Sequence, residues 1–449
     1  MPNFGKQYQS KLVTPAQAVQ VVRSGDWVDY GAFAGQNVVL DQALAARKHE
    51  LRDVKVRSMM RFSKPAILEV DPLGEHFTYS SWHLSGVERR LADQGLCYYD
   101  PMLFHELPSY YENLLNVDVA MLQVTPMNEH GYFNFGPQAS HCDALCAKAK
   151  TVIVEVNPNQ PWCLGGRGET IHISQVDYVV EANTPIPQIP SAEPTELDQK
   201  IAAMIMEEIH DGSCLQLGVG GMPNAIGMMI AKSDLKDLGI HTEMFVDSMV
   251  DMIESGRVNG TRKQIDKGKI VYTFAVGTPK TYDFLNNNPM TAISSVDYVN
   301  DPCVIAQNDN FVAINNCVEV DLFGQVCSES SGTRQISGTG GQVCYIYGSY
   351  RSKGGKPFIC MTSSFEKKGD LISRVKPILT PGATVTTPRT MASYLVTEQG
   401  IVNLKGKSTW ERAEAIISLA HPAFREELIH SAENMGIWRR HNKRESLAG

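Results

Sequence analysis

No stretch of this sequence is apolar for long enough to cross a bilayer as a helix, and its first residues, MPNFGKQYQSKLV, lack the apolar core of a secretory signal. Both absences lead to the expectation of a cytoplasmic protein with no membrane partner. Basic residues never gather into a stripe: 41 lysines and arginines face 49 acidic residues, a net charge of −8. Nucleic acid is therefore not expected as a partner, and any phosphate-bearing ligand would rely on local dipoles and a few basic side chains. The P-loop pattern G-x-x-x-x-G-K-[ST] is absent, as is the G-x-S-x-G elbow of serine hydrolases. Gly218-x-Gly220-Gly221 has Pro223 where a dinucleotide fingerprint needs glycine. His141, Cys142 and Cys146 have no second pair at metal-ligand spacing, so the simpler reading is two buried thiols on one helical face, and no metal is expected. Ten scattered cysteines in 449 residues suit reduced, buried side chains rather than a disulfide scaffold.

What is present is an alternation of strand and helix patterns. Thr14-Pro15 ahead of AQAVQVVRSG carries the cap, first-turn proline and glycine stop of a helix. Strands are expected at Trp27–Tyr30 and Val54–Arg57, with a helix over Leu40–Lys48 between them. VDVAMLQV (117–124) and TVIVEV (151–156) are near-continuous apolar runs, as in central parallel strands buried on both faces. The fold class is α/β. The proline-rich NTPIPQIPSAEPT reads as a linker, giving domains 1–185 and 197–449 with residues 186–196 between them and a helix from about Thr195. The two parts resemble each other in order. Ser24–Gly31 aligns with Asp211–Gly218, and Val119, Ala120 and Gly131 align at equal spacing with Val312, Ala313 and Gly324. Two tandem related open α/β domains are expected, with the ligand in the cleft at their interface.

Within the second part, Leu215–Leu217 runs into Gly218-Val219-Gly220-Gly221-Met222-Pro223. A helix then follows from Met222 to Ile230, and a strand at Ile240–Met244 carries Glu243. Glycines at a strand exit let backbone approach a ligand, and a helix N-terminus offers N–H groups to an anion or oxyanion. On local pattern alone Glu243 is equally a capping or salt-bridged carboxylate, Gln216 a satisfied core amide, and Asn300-Asp301-Pro302 turn chemistry. Gly338-Thr339-Gly340-Gly341 reads as a second cradle or a tight hairpin.

Taken together, GVGGMPNAIG, GIHTEMFVD and SESSGTRQISGTGGQ resemble motifs of the family I CoA-transferases. The resemblance is to the acetyl-CoA hydrolase/transferase branch, with its butyryl-CoA:acetate and 4-hydroxybutyrate enzymes. SGDWVDYGAFAGQ, HGYFNFG, AKTVIVEVN and YLVTEQGIVNLKGKSTWERAEAIISLAHP extend it over nearly the whole chain. It implies coenzyme A thioesters and short-chain acids as substrates, with no metal or redox cofactor. The expected activity is butyryl-CoA:acetate CoA transfer, with 4-hydroxybutyrate transfer or acyl-CoA hydrolysis as alternatives. The resemblance places the glutamyl-CoA thioester on Glu243, with Gln216 and Asn300 beside the reacting group. CoA contacts fall on Gly218, Val219, Gly220, Gly221, Met222, Val318 and Gly341. A homo-oligomer is the default for such an enzyme.

Overall fold

A computed structural model describes residues 4–218 and 220–439. Seven strands of the first part of the chain share one sheet: β1 (Trp27–Ala32), β2 (Val54–Met59), β3 (Phe77–Ser81), β4 (Tyr98–Tyr99), β5 (Val119–Val124), β6 (Thr151–Val156) and β7 (Tyr178–Glu181), while Tyr132–Asn134 and Thr170–His172 pair separately as a two-stranded ribbon. The seven lie in the order β4-β3-β2-β1-β5-β6-β7, and every pair among them is parallel. β5 is buried along its whole length, the condition under which a strand reads as an unbroken apolar run.

The later strands are β8 (Cys214–Leu217), β9 (Gly239–Phe245), β10 (Ile270–Ala275), β11 (Thr291–Ile293), β12 (Phe311–Asn316), β13 (Lys356–Cys360), β14 (Tyr394–Thr397) and β15 (Gly400–Asn403). Their sheet has the order β11-β10-β9-β8-β12-β13-β14-β15, with β15 antiparallel to β14 at the edge. Leaving β15 aside, each strand of the second sheet sits where its counterpart seven places earlier sits in the first. The register repeats too. Val28 pairs with Val119 and Asp29 with Ala120, while Leu215 pairs with Val312 and Gln216 with Ala313. These are the residues that the internal sequence repeat aligns. Gly131 and Gly324 share a left-handed backbone as well, φ +80° and +83°.

The chain groups into two compact units that are not continuous in sequence. One comprises residues 1–190, 242–250 and 269–301; the other comprises 191–241, 251–268 and 302–449. The chain crosses from the second to the first within β9, between His241 and Thr242. The proline-rich segment carries no regular element but is held at both ends. In the first unit Tyr282 donates to the Pro187 carbonyl at 2.7 Å and Ile189 N–H to the Gly277 carbonyl at 3.0 Å. In the second, Asn224 Nδ2 donates to the Ala192 carbonyl at 3.0 Å, and the next helix opens on a Thr195/Asp198 capping box. A helix at Phe4–Lys11, which no sequence pattern announced, has no fully buried residue. The helix expected after Thr14 is a single α-turn, Pro15–Ala18, running into a 3-10 turn. Among the described residues no helix is long and apolar enough to cross a membrane.

Candidate active site

In the first unit the centre is Glu243, half-buried near the carboxyl end of β9. Asn300 follows the helical turn Val296–Val299 as its C-cap and is fully buried. Its Nδ2 donates to Glu243 Oε2 at 2.5 Å, a charge-assisted contact shorter than the usual N–H···O range. The next residue along β9, Met244, belongs to a core cluster with Phe33, Phe104, Phe274 and Val296. Within it the Phe33 and Phe274 rings stack 3.5 Å apart. A carboxylate is thus carried on a strand, with one of its oxygens fixed by an amide donor.

In the second unit β8 ends at Leu217. Gly218 N–H donates to the Ile314 carbonyl at 2.9 Å, and a Cβ on Gly218 would lie 3.2 Å from that same oxygen. Gly220 has φ +125°, open to glycine and strained for other residues, and a Cβ on Gly221 would lie 2.7 Å from Asp198 Oδ2. The helix Gly221–Lys232 then starts with no side-chain cap, leaving its first-turn N–H groups to a ligand or solvent, and Met222 is buried. Val219 lies outside the described residues. Gln216 is buried on β8, and its Oε1 accepts from Asn315 Nδ2 on β12 at 3.0 Å. Val318 N–H donates to the Cys327 carbonyl at 2.8 Å, and Gly341 is the N-cap of helix Gln342–Arg351. The loop before Gly341 is braced by buried Glu329, which accepts from Thr339 at 3.2 Å, Gln335 at 3.3 Å and Thr386 at 3.0 Å.

Thus the structure joins Glu243 to Asn300 directly. Gln216 joins Asn315, a partner that sequence reasoning did not name because the link runs across strands about a hundred residues apart in the chain.

The duplicated sheets also show what sets the second copy apart. β1 and β2 pair at Trp27 and Lys55, β8 and β9 at Cys214 and Gly239. Counting along the strands, Glu243 takes the place that buried Met59 fills in the first copy. The glycine turn after β1 is packed with its own side chains: Phe33 is buried, and a Cβ on Gly35 would lie 1.8 Å from Gln138 Nε2. The glycine loop after β8 instead lines a cavity of about 240 Å3 within the second unit.

Cys142 and Cys146 lie buried on one helix, as the spacing predicts. Elsewhere, the one group of described residues whose donor atoms converge closely enough for a metal is Asp71, Glu75 and His76. Asp71 already accepts three backbone N–H groups there, from Glu75, His76 and Phe77, at 3.2, 2.7 and 3.0 Å. That pattern closes a loop without an ion.

Comparison with known proteins shows the family to which the chain belongs. The model of the acetyl-CoA hydrolase/transferase N-terminal domain matches residues 2–190, and that of the C-terminal domain matches residues 277–432. A butyryl-CoA:acetate CoA-transferase from Anaerostipes caccae is 50% identical over 98% of this chain and 100% of its own. A 4-hydroxybutyrate coenzyme A transferase from Clostridium kluyveri is 41% identical over 94% of this chain and 97% of its own. The crystal structure of RipA from Yersinia pestis superposes with a TM-score of 0.90 at 37% identity, covering 97% of this chain and all of that one. The chain belongs to the acetyl-CoA hydrolase/transferase branch of the family I CoA-transferases, enzymes that act on coenzyme A thioesters.

Proposed function

We propose that this CoA-transferase moves CoA between butyryl-CoA and acetate by a ping-pong route through a thioester on Glu243. One observation carries the reading: a half-buried carboxylate at a strand end, held by the Asn300 amide at 2.5 Å. The choice of butyrate over 4-hydroxybutyrate rests on identity, 50% to a relative named for the first and 41% to one named for the second.

The Glu243 carboxylate attacks the acyl-CoA carbonyl and expels CoA thiolate, leaving a mixed anhydride. The thiolate attacks the glutamyl carbonyl, releasing butyrate and leaving enzyme-bound thioester. Acetate attacks that thioester, and the same two steps run in reverse to give acetyl-CoA and free Glu243. Carboxylates are weak nucleophiles, so the barrier must fall through placement and charge stabilisation. Asn300 holds the attacking group in one orientation. Backbone N–H groups of Gly220, Gly221 and Met222 suit the oxyanion of each tetrahedral intermediate, each donor worth about 10²- to 10³-fold. Gln216, fixed by Asn315, is assigned to the same reacting group, and Gly218, Val219, Val318 and Gly341 to CoA.

The test is intact-mass analysis after butyryl-CoA and borohydride. Wild type is expected to show reduction at Glu243, and Glu243→Ala to show no adduct and no exchange while still binding CoA. Full exchange by Glu243→Ala would end the proposal. A panel of butyrate, 4-hydroxybutyrate, propionate and succinate against acetyl-CoA ranks the acids. Thiol release with no acceptor present would mark hydrolysis.

A further inference from the structure

The register of the two sheets pairs Gln123 of β5 with Glu155 of β6, and Asn316 of β12 with Cys360 of β13. Since Val119 and Val312 hold matching places, Gln123 matches Asn316 and Glu155 matches Cys360. In the second unit Asn316 and Cys360 line the cavity of about 240 Å3 that Gly221 and Met222 border at the start of helix Gly221–Lys232. In the first unit a side chain fills the matching place. Glu155 is fully buried there, its Oε2 accepting from the Leu40 N–H at 3.0 Å and its Oε1 from Gln123 Nε2 at 2.9 Å. Leu40 lies in the first turn of helix Val38–Ala46, whose N-cap Asn37 makes no side-chain cap. A carboxylate from a neighbouring strand thus does what a bound anion does at an open helix start.

The same place holds a buried cation and a spare donor. Arg61, 1% exposed, donates from Nη1 to Asn37 Oδ1 at 2.8 Å and from Nη2 to Asp41 Oδ2 at 3.3 Å. Asn37 is itself fully buried, and its Nδ2 has no hydrogen-bond partner among the described residues. The N-cap residue therefore carries a donor that Glu155 leaves unmet. Burial pushes the Glu155 carboxyl up, while the Leu40 and Val39 N–H groups, the Gln123 amide and the Arg61 charge pull it back toward the ionised form. We propose that Glu155 is a tethered ligand: it closes an anion site at the start of helix Val38–Ala46, and with its side chain removed that site takes a small carboxylate. A carboxylate fits because one donor meets each of two oxygens. A phosphate dianion would bring a second charge to a place where Arg61 is already shared with Asp41. The duplicated fold thereby keeps one of its two matching helix starts shut and the other bordering a cavity.

The test is thermal unfolding of wild type, Glu155→Ala and Glu155→Cys in sodium formate and, at equal ionic strength, in sodium chloride. The cysteine variant carries the residue that stands at the matching place of the second unit, so it supplies the same comparison where the alanine variant fails to fold. Both are expected to melt below wild type and to regain about 2–4 °C in formate over chloride, saturably, as for an anion at roughly 10-fold excess over its dissociation constant. Wild type, with the site filled, is expected to show no such difference. Glu155→Gln, which fills the space with a neutral side chain, is expected to show none either. Formate that stabilises neither small variant more than chloride does would overturn the inference. So would an equal gain by wild type or Glu155→Gln, which would place formate elsewhere on the protein, and so would failure of both small variants to fold with formate present.

Discussion

Asn300 does for Glu243 what a lysine could not do without cost. It fixes the carboxylate by one donor and adds no charge that would lower its nucleophilicity. Removing the donor in Asn300→Ala is expected to slow exchange by about 10- to 100-fold, the worth of one hydrogen bond to a charged group. Steady-state kinetics check this: kcat should fall while the KM for butyryl-CoA holds. Thiol chemistry offers a second test at this scale. Nine of the ten cysteines are buried and Cys303 alone is exposed. Burial pushes the Cys163 and Cys317 thiols up to about 12 and Cys214 to about 11, leaving little thiolate at neutral pH. Iodoacetamide on native protein is expected to label one site, Cys303, by peptide mass, and the remaining nine after denaturation. As for the site itself, Glu243 is one of 49 acidic residues, and no local pattern lifts it from the rest. The motif GIHTEMFVD singles it out by likeness alone. Asn315 carries no such mark, because its part depends on a partner, Gln216, brought close only by the sheet.

Strand and turn patterns say more about elements than about their use. The strands over 119–124 and 151–156 are legible because a strand buried on both faces has no polar side to interrupt it. The short helix at Phe4–Lys11 is not, since it buries no residue fully and so shows no clear apolar period. The turns after β1 and β8 look alike as strings of glycine between a strand and a helix. Folded, one is filled by Phe33 and Gln138 and the other borders a cavity, a difference made by residues far along the chain. Two substitutions separate these roles. Gly35→Ala would drive a methyl into Gln138, which accepts from Ala32 N–H and donates to the Gln123 carbonyl, both at 2.9 Å. A loss of about 2–4 kcal/mol in urea unfolding is expected. Gly220→Ala meets the strain of φ +125° at a position proposed to face CoA, so stability should fall by about 1–3 kcal/mol and CoA affinity should fall with it.

At the scale of the molecule, acid stability follows from groups buried uncharged. His141 is fully buried, stacked on Tyr111 with ring centres 5.4 Å apart, and burial takes its pKa from 6.5 down to about 3. The unfolded chain binds that proton first, so the stabilising contribution is complete above pH 6.5 and drains away as pH falls toward 3. Asp29, Asp41, Glu88 and Glu155, pushed up by burial, act in the opposite sense, so only a difference isolates the histidine. Between pH 7 and 5, wild type is expected to lose about 2 kcal/mol more than His141→Gln in urea titrations.

The duplicated topology was readable from two short alignments because the repeat keeps its spacing. The return of residues 242–250 and 269–301 to the first unit is a long-range fact that no window of sequence holds. It bears on how the protein is made. Domains commonly fold in turn as they leave the ribosome, yet here the first unit lacks two of its segments until translation has passed residue 301. Split at residue 190, neither fragment is expected to yield a soluble product when expressed alone, whereas the two produced together in one cell should reassemble into active enzyme.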